Sequence, residues 1–394
     1  MWQSIKNIYH FFVALGANIF FLFPSRRLIV VGVTGTDGKT TTANLIFHIL
    51  KKSGKKAAVV TSIGSEIRNK SSNINSHVTT PSPFSLQWLI FKAWISGAKF
   101  LVLEVTSHAI DQFRILGIPF YVSILTNITS EHQDYHKTYD NYLKTKVKLL
   151  KKSKYAIINE DDASYSHVKK IVNENDKVRF ITYGLSEISD INPTKYPFNS
   201  PFMVGDFNEY NTLAAIGAAK ALGLSDSNIQ DAVKSFKPPK GRFDIVYSSD
   251  FTIIVDFAHT PNSFSNILLA VKEIAKGKII HVFGSAGERD RLKRPLMGEI
   301  SSKYSDIIIL TSEDPRSEDA SEIIEQIASG VKGKEQLIKI IDRKEAIKAA
   351  VQMAEKNDVL LITGKGHENS INYGKGEELW DEYEVIEEAL SKKT

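Results

Sequence analysis

The 394-residue sequence contains no cysteine, which excludes disulfide bonds and thiolate metal sites and fits a reducing compartment such as the cytoplasm. It also lacks a large excess of charge of one sign, since 50 Lys and Arg residues oppose 45 Asp and Glu residues. This balance argues against nucleic-acid binding and is compatible with anionic small molecules. Internal repeats and low-complexity tracts are absent too. A chain of this length is expected to form two or three domains.

The sequence has no apolar run long enough to cross a bilayer comfortably. Its longest run, Ile8–Phe23, has 16 residues, whereas a spanning helix needs about 20. No small-residue cleavage site follows, which disfavours a secretory signal. Basic residues flank the run, Lys6 before it and Arg26 and Arg27 after it. The run is interpreted as a helix docked on the protein or on a partner, as a membrane-surface anchor or, least favoured, as a true span.

What the sequence does contain is a phosphate-binding pattern. The apolar run Leu28–Val33 predicts a buried strand, and the amphipathic stretch Ala43–Leu50 predicts a helix. A glycine-containing turn between such elements lets several N–H groups point at one anion, and the helix N-terminus adds partial positive charge. Lys39 can contact the outer phosphates and the Thr40 hydroxyl can bind Mg²⁺, although Val33 replaces the first glycine of the full Walker pattern. The predicted nucleotide-binding residues here are Gly35, Thr36, Asp37, Gly38, Lys39, Thr40 and Thr41.

Two series of short apolar runs alternate with helical stretches. The first series lies at 28–33, 57–61, 100–105, 121–126, 155–159 and 178–182, and the second at 251–256, 278–283, 306–310, 337–341 and 359–363. Such alternation predicts parallel sheets covered by helices. The Pro-Pro-Lys-Gly segment at 238–241 predicts a hinge. We therefore expect an α/β protein with an N-terminal apolar helix (1–26), a phosphate-loop central domain with a mostly parallel sheet (27–238) and a C-terminal Rossmann-like domain (239–394).

Polar residues follow the predicted strands, where open α/β sheets bind ligands. Glu104 closes one strand, and His132 and His136 follow the next. A carboxylate and a histidine at neighbouring strand ends can complete a site for a hard cation. The alternatives are a helix cap or salt bridge for Glu104 and an ordinary loop role for each histidine. Lys146, on the helix after this loop, would in isolation belong to a solvated face.

Taken together, these motifs resemble those of a known family, the Mur ligases, which are ATP-dependent amide-forming enzymes of peptidoglycan synthesis. The sequence is most similar to the members that form the muramoyl-tripeptide, and the resemblance covers residues 27 to about 385. The matching segments include GTDGKTTT at 35–42, TTP at 79–81, EVTSHA at 104–109, TNITSEHQDYH at 126–136, GDFNEYNTLAA at 205–215, GRFD at 241–244, VDFAHTPNS at 255–263, EDPRSED at 313–319, DR at 342–343 and GKGHE at 364–368.

The resemblance implies that a substrate carboxylate attacks the γ-phosphate of ATP and that an amine displaces phosphate from the acyl phosphate. It implies that Thr40 and Glu104 hold one Mg²⁺ and His132 a second, and that Lys146 is the lysine that the family carbamylates. It also implies a set of binding contacts. These are Asn208, Asn211, Arg242 and Asp256 for ATP, and Thr79, Thr80, Thr106, Ser107 and Arg114 for the muramoyl peptide.

The incoming amino acid is expected to meet Arg316 and the loop from Gly364 to Glu368, with Glu368 pairing with a distal ammonium group. Diaminopimelate-adding members usually carry DNPR, whereas here the first two positions are Glu313 and Asp314. Asp314 brings a negative charge that would repel a distal carboxylate, and Arg316 would attract it. The resemblance therefore leaves diaminopimelate, slightly preferred, and lysine open.

Family members place a UDP-binding domain before the phosphate loop, and about 26 residues precede the first strand here. We therefore expect the uridine-binding surface to be missing or supplied in another way, and a membrane-surface helix at 8–23 would be one replacement. Two alternatives remain for the function. One is a ligase for another carboxylate, such as a folate, a polyglutamate chain or a lipid-linked glycan peptide. The other is a nucleotide-binding subunit without catalysis, which the set of Lys39, Glu104, His132 and Lys146 disfavours. The expected location is the cytoplasm, with the inner membrane face as an alternative.

Overall fold

A computed structural model describes residues 2–72, 80–129, 133–173, 175–200, 203–333 and 336–393. The chain divides into a first unit, Met1–Lys237, and a second unit, Pro238–Thr394. Both units are α/β structures with mostly parallel sheets, which confirms the predicted fold class.

The first unit contains strands β1 (Ile29–Thr34), β2 (Ala57–Thr61), β3 (Gly64–Ile67), β4 (Lys70–Ser72), β5 (Phe100–Glu104), β6 (Phe120–Leu125), β7 (Tyr155–Asn159) and β8 (Arg179–Tyr183). Its helices are α1 (Trp2–Phe20), α2 (Lys39–Lys52), α3 (Pro83–Ile95), α4 (Ser107–Asp111), α5 (Gln133–His136), α6 (Tyr139–Leu150), α7 (Tyr165–Val172), α8 (Asp206–Ala221) and α9 (Asp226–Ser235), with a short 3-10 helix at Pro24–Arg27. Within the described residues the strands form an eight-stranded sheet in the order β4-β3-β2-β5-β1-β6-β7-β8. All neighbours are parallel except β3 and β4, which join as an antiparallel edge.

The central strand β1 is apolar because both of its faces are buried. Val31 and Val33 belong to the core that also includes residues of α2 and α8, whereas Val30 packs in the core that includes α3. Side chains of a strand point to opposite faces in turn, so a strand covered on both sides needs a continuous apolar run. This placement brings the C-terminal end of β1, and the loop that follows it, to the middle of the sheet edge.

Helix α1 is docked on the first unit itself, mainly against α3 and the segment that follows α4. Ala14 and Ala17 are buried, and the Phe21 ring lies 5.0 Å from that of Phe84. The Asn18 side-chain amide donates a hydrogen bond of 2.9 Å to the carbonyl of Leu116. This packing corresponds to one of the three interpretations of the apolar run, namely a helix docked on the protein itself. The described part of the chain contains no helix that is both long and apolar enough to cross a membrane.

The second unit contains strands β9 (Asp244–Ser248), β10 (Thr252–Asp256), β11 (Ile279–Phe283), β12 (Ile307–Leu310), β13 (Gln336–Lys339), β14 (Val359–Thr363), β15 (Ser370–Asn372) and β16 (Glu377–Leu379). Its helices are α10 (Pro261–Ile274), α11 (Lys293–Tyr304), α12 (Ala320–Ala328), α13 (Arg343–Met353) and α14 (Glu382–Ser391). In its described part, a six-stranded sheet has the order β13-β12-β11-β14-β10-β9, and β9 is its antiparallel edge. Strands β15 and β16 form a separate hairpin.

A fully buried ion pair fastens the loops at the carboxyl ends of β12 and β14. The Arg343 guanidinium lies 2.6 and 2.9 Å from the carboxylate oxygens of Glu382, and neither residue is more than 1% exposed. Arg343 also donates to the carbonyls of Ser312, at 3.3 Å, and Thr363, at 2.9 Å. Arg343 therefore binds the two carbonyls that directly precede the segments 313–316 and 364–368.

Replacing Glu382 by glutamine should destabilise the protein strongly, because it leaves the Arg343 charge buried without its counter-ion. Loss of one partner of a buried pair costs about 3–5 kcal/mol. Urea unfolding followed by circular dichroism should show an earlier transition. The matched control is Glu299→Gln, which removes the exposed pair with Lys303 and should leave the midpoint almost unchanged. Equal midpoints for both variants would contradict this role.

Candidate active site

The loop between β1 and α2 depends on two glycines. Gly35 has a φ of 150° and Gly38 a φ of 80°, both in the region that favours glycine. A Cβ atom on Gly35 would lie 1.8 Å from the Thr126 hydroxyl, and one on Gly38 would lie 2.1 Å from the Asn211 side-chain oxygen. The loop therefore has no room for side chains at either position.

Residues at the end of β6 hold this loop in shape. The Thr126 hydroxyl donates a 2.6 Å hydrogen bond to the carbonyl of Asp37, and the Asp37 N–H donates to the Asn127 side chain at 2.9 Å. The Thr36 hydroxyl accepts from the Thr129 N–H at 3.0 Å. Strands β1 and β6 are neighbours, so their carboxyl ends meet at one place. The sequence did not single out Thr126 as a site residue, although its position after a strand was a usable signal.

The predicted pair of Thr40 and Glu104 lies together at the start of α2. The Thr40 hydroxyl is 3.0 and 3.2 Å from the two oxygens of Glu104, which is 2% exposed. Ser62, which follows β2, donates its N–H to Glu104 at 2.9 Å, and its hydroxyl lies 3.0 Å from that of Thr40. Hydroxyl and carboxylate oxygens are ligands that Mg²⁺ accepts together with substrate phosphates. These residues fit a Mg²⁺ ion, and Ser62 is an addition to the predicted set.

Two lysines are directed at the phosphate loop. The Lys39 ammonium group donates to the carbonyl of Thr36 at 2.6 Å. Lys146, only 1% exposed, donates to the carbonyl of Gly35 at 2.5 Å and lies 4.4 Å from the centre of the Tyr142 ring. Lys146 is therefore not on a solvated face, and its burial beside the loop is unusual for a lysine.

The predicted substrate-side residues of the described chain cluster around the end of β5. The Thr80 hydroxyl donates to the Glu104 carbonyl at 3.2 Å and accepts from the Thr106 N–H at 3.2 Å. The Arg114 guanidinium donates to the Thr80 carbonyl at 2.7 Å. The Ser107 hydroxyl lies 3.0 Å from His136 Nε2. Two further predicted residues, Thr79 and His132, lie outside the described residues, and their assignments stay predictions.

Helix α1 contributes to the same region through a residue that the sequence did not mark. The Asn7 side-chain amide donates to Asp111 at 3.1 Å, and the Tyr135 hydroxyl donates to the same carboxylate oxygen at 2.7 Å. Burial and this hydrogen bond raise the pKa of Tyr135 to about 12, so its hydroxyl stays a donor at neutral pH. The Gln112 side chain joins Tyr135 to Arg114. The N-terminal helix is thus connected to the substrate-side cluster by hydrogen bonds.

The remaining predicted ATP contacts fall in two places. In the first unit, Asn211 accepts a 3.2 Å hydrogen bond from Thr42 on α2 and lies 3.4 Å from Asn208, so both asparagines sit beside the phosphate loop. In the second unit, Asp256 accepts from the N–H groups of residues 243 and 258, at 2.7 and 2.6 Å. Burial raises the pKa of Asp256, and the nearby Arg242 opposes that rise. Asp256 therefore shapes the loop that carries Arg242.

The predicted amino-acid site in the second unit contains a buried lysine at its centre. Lys365, which is fully buried, lies 3.0 Å from Asp314 and 2.7 Å from Glu368. Glu313 is 7% exposed, and within the described residues its Oε2 atom has no hydrogen-bond partner. Burial raises the pKa of Glu368, opposed chiefly by Lys365. The sequence named both ends of the 364–368 loop and missed Lys365, the residue that balances its carboxylates.

Arg316 borders this group of charges in a strained backbone conformation. Its φ is 54°, and its N–H donates to the carbonyl of Asn372 at 2.9 Å, which holds the turn. Its half-buried guanidinium group interacts electrostatically with Glu288, and in the described part of the chain no hydrogen bond engages it. A guanidinium group on a fixed backbone, with hydrogen-bond donors that the described residues do not use, is suited to binding a carboxylate.

A phosphate loop at a central strand end, with a carboxylate–hydroxyl pair and two lysines, defines a nucleotide-dependent phosphoryl-transfer site. Residues 33–219 match the Mur ligase middle domain, and residues 241–366 match the Mur ligase, glutamate ligase domain. UDP-N-acetylmuramoyl-L-alanyl-D-glutamate–2,6-diaminopimelate ligase 1 of Clostridium acetobutylicum is 39% identical over 398 residues, covering 96% of this chain and 81% of that protein. The corresponding Aquifex aeolicus ligase is 41% identical over 376 residues, covering 90% and 76%.

A solved structure of a ligase of the same name superposes with a TM-score of 0.64 at 29% identity, covering 92% of this chain and 78% of that one. The chain belongs to the Mur ligase family. It is accordingly an ATP-dependent ligase that forms amide bonds, as the resemblance implied.

Replacing Gly38 by alanine should weaken ADP binding by about tenfold or more, because the new methyl group collides with Asn211 in addition to the left-handed backbone cost of about 1–2 kcal/mol. The matched control is Gly54→Ala at the other end of α2. Gly54 has a φ of 72° and open space around its Cβ position, so its variant shares only the backbone cost. Calorimetric titration with ADP should separate the two variants. Equal losses would show that collision with Asn211 is not what the loop avoids.

Proposed function

We propose that this ligase joins 2,6-diaminopimelate to UDP-N-acetylmuramoyl-L-alanyl-D-glutamate in peptidoglycan synthesis, with ATP as the energy source. The two relatives with this name are 39% and 41% identical to this chain over the aligned residues. The alignments cover 81% and 76% of the relatives' own length. The observation that carries the choice of amino acid is the Arg316 guanidinium, whose hydrogen-bond donors no described residue uses, two residues along the chain from a carboxylate, Asp314, that Lys365 already balances.

The first half of the proposed reaction uses the site in the first unit. The substrate carboxylate attacks the γ-phosphate of ATP, which gives an acyl phosphate and ADP. The phosphate loop and Lys39 offset the negative charge of the transferring group. Thr40 and Glu104, with His132 as predicted, are the residues that would hold Mg²⁺, which supplies further charge neutralisation there. Thr80, Thr106, Ser107 and Arg114 would orient the muramoyl peptide.

We include carbamylation of Lys146 in the proposal. A carbamate changes a buried cation into an anion, so the side chain could then orient a cationic group beside the phosphate loop. The support is the position of Lys146, which is 1% exposed and directed at the carbonyl of Gly35.

In the second half, the amine of the incoming amino acid attacks the acyl carbon and phosphate leaves. Diaminopimelate differs from lysine by a distal carboxylate, which needs a cationic partner. The repulsion expected from Asp314 is reduced because Lys365 lies 3.0 Å away and the Asn372 N–H also donates to it. Arg316 then remains to bind the distal carboxylate, while Glu313 and Glu368 can accept from ammonium groups. This arrangement favours diaminopimelate over lysine.

The test of the function is amino-acid-dependent phosphate release from ATP by the purified full chain. UDP-N-acetylmuramoyl-L-alanyl-D-glutamate should support release with diaminopimelate and much less with lysine. A folate or polyglutamate acceptor should support none. Equal release with lysine would remove the assignment of Arg316, and release only with another carboxylate would overturn the proposed substrate. Since ATP and a nucleotide-linked precursor are consumed, we place the reaction in the cytoplasm.

Replacing Arg316 by alanine should raise the KM for diaminopimelate by about 10- to 100-fold, because a charge-assisted hydrogen bond contributes about 1.5–3 kcal/mol. The KM for ATP should change much less. Steady-state kinetics with each substrate varied in turn will measure both constants. Arg179→Ala, at an exposed arginine of the first unit, is the control and should alter neither. A parallel rise of both constants in Arg316→Ala would refute a specific contact with the amino acid.

A further inference from the structure

Helix α1 has two apolar sides, and only one of them is packed against the protein. Its inner side carries the buried residues Ala14 and Ala17. Its outer side carries Ile8, Phe12 and Ile19, which are 59%, 64% and 57% exposed. These three residues follow a spacing of four and seven, so they share one face of the helix. A large apolar face of this kind is normally covered.

Helix α3 extends this surface. Phe84, Trp88 and Ile95 lie on one face of α3 and are 48%, 45% and 61% exposed. The two helices meet where the rings of Phe20 and Phe84 lie 5.4 Å apart, and Phe20 is 69% exposed. We call this surface the outer apolar face; it consists of Ile8, Phe12, Ile19, Phe20, Phe84, Trp88 and Ile95.

The two segments that form the outer apolar face carry charges of one sign. Residues 2–36 and 80–103, which include both helices, contain no Asp or Glu. They carry five basic residues, namely Lys6, Arg26, Arg27, Lys92 and Lys99. Two of these cations lie over aromatic rings of α3, Lys92 at 5.5 Å from Trp88 and Arg27 at 6.0 Å from Trp94. The two segments that form the apolar face thus carry basic residues and no acidic ones in a chain whose overall charge is nearly balanced, and the carboxylate of Asp111, from a neighbouring segment, accepts a hydrogen bond from Asn7 of α1.

We infer that the outer apolar face docks on the surface of a bilayer that contains anionic phospholipid. Such a surface accepts apolar and aromatic side chains at the level of its headgroups and attracts the basic residues. A second copy of the chain fits less well, because each copy would contribute basic residues and no acidic residue from the two segments that form this face. The docking is peripheral and is independent of the proposed ligase substrate.

The experiment is sedimentation of the full chain with vesicles of phosphatidylglycerol and phosphatidylcholine, compared with vesicles of phosphatidylcholine alone. Binding to the anionic vesicles should be at least about tenfold stronger and should fall as salt rises. The double variant Phe12→Ser with Ile19→Ser should bind at least about tenfold more weakly, because it removes two membrane-facing apolar side chains. The matched control, Ile188→Ser with Leu292→Ser, removes two side chains that are 83% and 82% exposed elsewhere and should bind normally.

Circular dichroism and thermal melting of both double variants will establish that they are folded. A native chain that ignores anionic vesicles at low salt, or a Phe12/Ile19 variant that binds them as well as the native chain, would overturn the inference. A second copy of the chain would be the occupant instead if the native chain self-associates at the same concentrations without binding vesicles. The variant Phe12→Ser with Ile19→Ser should then abolish that self-association. Since none of these readouts uses catalysis, failure of the proposed ligase reaction leaves them unaffected.

Discussion

The close approach of backbone and side chain at the end of β1 is the constraint on which the first unit depends. Gly35 and Gly38 can lie against Thr126 and Asn211 only because they have no side chain. Those contacts bring the carboxyl end of β6 and the helix α8 to the phosphate loop. The same geometry places the loop next to Glu104 at the end of β5, so that the residues for phosphate and for a hard cation meet without a long loop to position them.

The second unit depends on charge balance inside a buried region. Arg343 neutralises Glu382 and holds the ends of two strands, and Lys365 stands between Asp314 and Glu368. Buried charges are tolerated only when they are paired or available to a ligand. With those pairs formed, Arg316 and Glu313 remain for charges that arrive with a substrate. Under the proposed function, this charge balance suits the site to a zwitterionic amino acid, and Glu368 of one of these pairs also contacts its ammonium group.

Helix α1 is an integral part of the first unit and at the same time presents a second apolar side. Its inner side is joined to the substrate-side cluster through Asn7 and Asp111, and to the segment after α4 through Asn18. Its outer side has the composition of an interfacial helix. A sequence pattern of 16 mostly apolar residues cannot distinguish these two sides, because nearly every position is apolar. Only the packing partner divides the helix into a covered face and an exposed one.

Much of the fold follows from local pattern. Each apolar run of four or more residues that the sequence predicted contains a strand, since strands buried on both faces need such runs. The strands that were missed, β3, β4, β9, β15 and β16, lie at or next to a sheet edge or form a separate short hairpin, where polar residues are acceptable and no apolar run is required. The phosphate loop and Glu104 were also predictable, because a glycine turn between strand and helix and a carboxylate at a strand end have chemical meaning by themselves.

The sequence by itself therefore determined the two α/β sheets, the phosphate loop and the family resemblance. The tertiary structure alone decided which polar residues pair with which. Ser62 joins Glu104, Asp111 joins Asn7 and Tyr135, and Lys365 joins Asp314 across about 50 residues of chain. A strand or helix is selected by the period of its own side chains, and so it can be read locally. A buried charge is selected by its opposite charge in space, which chain order does not reveal.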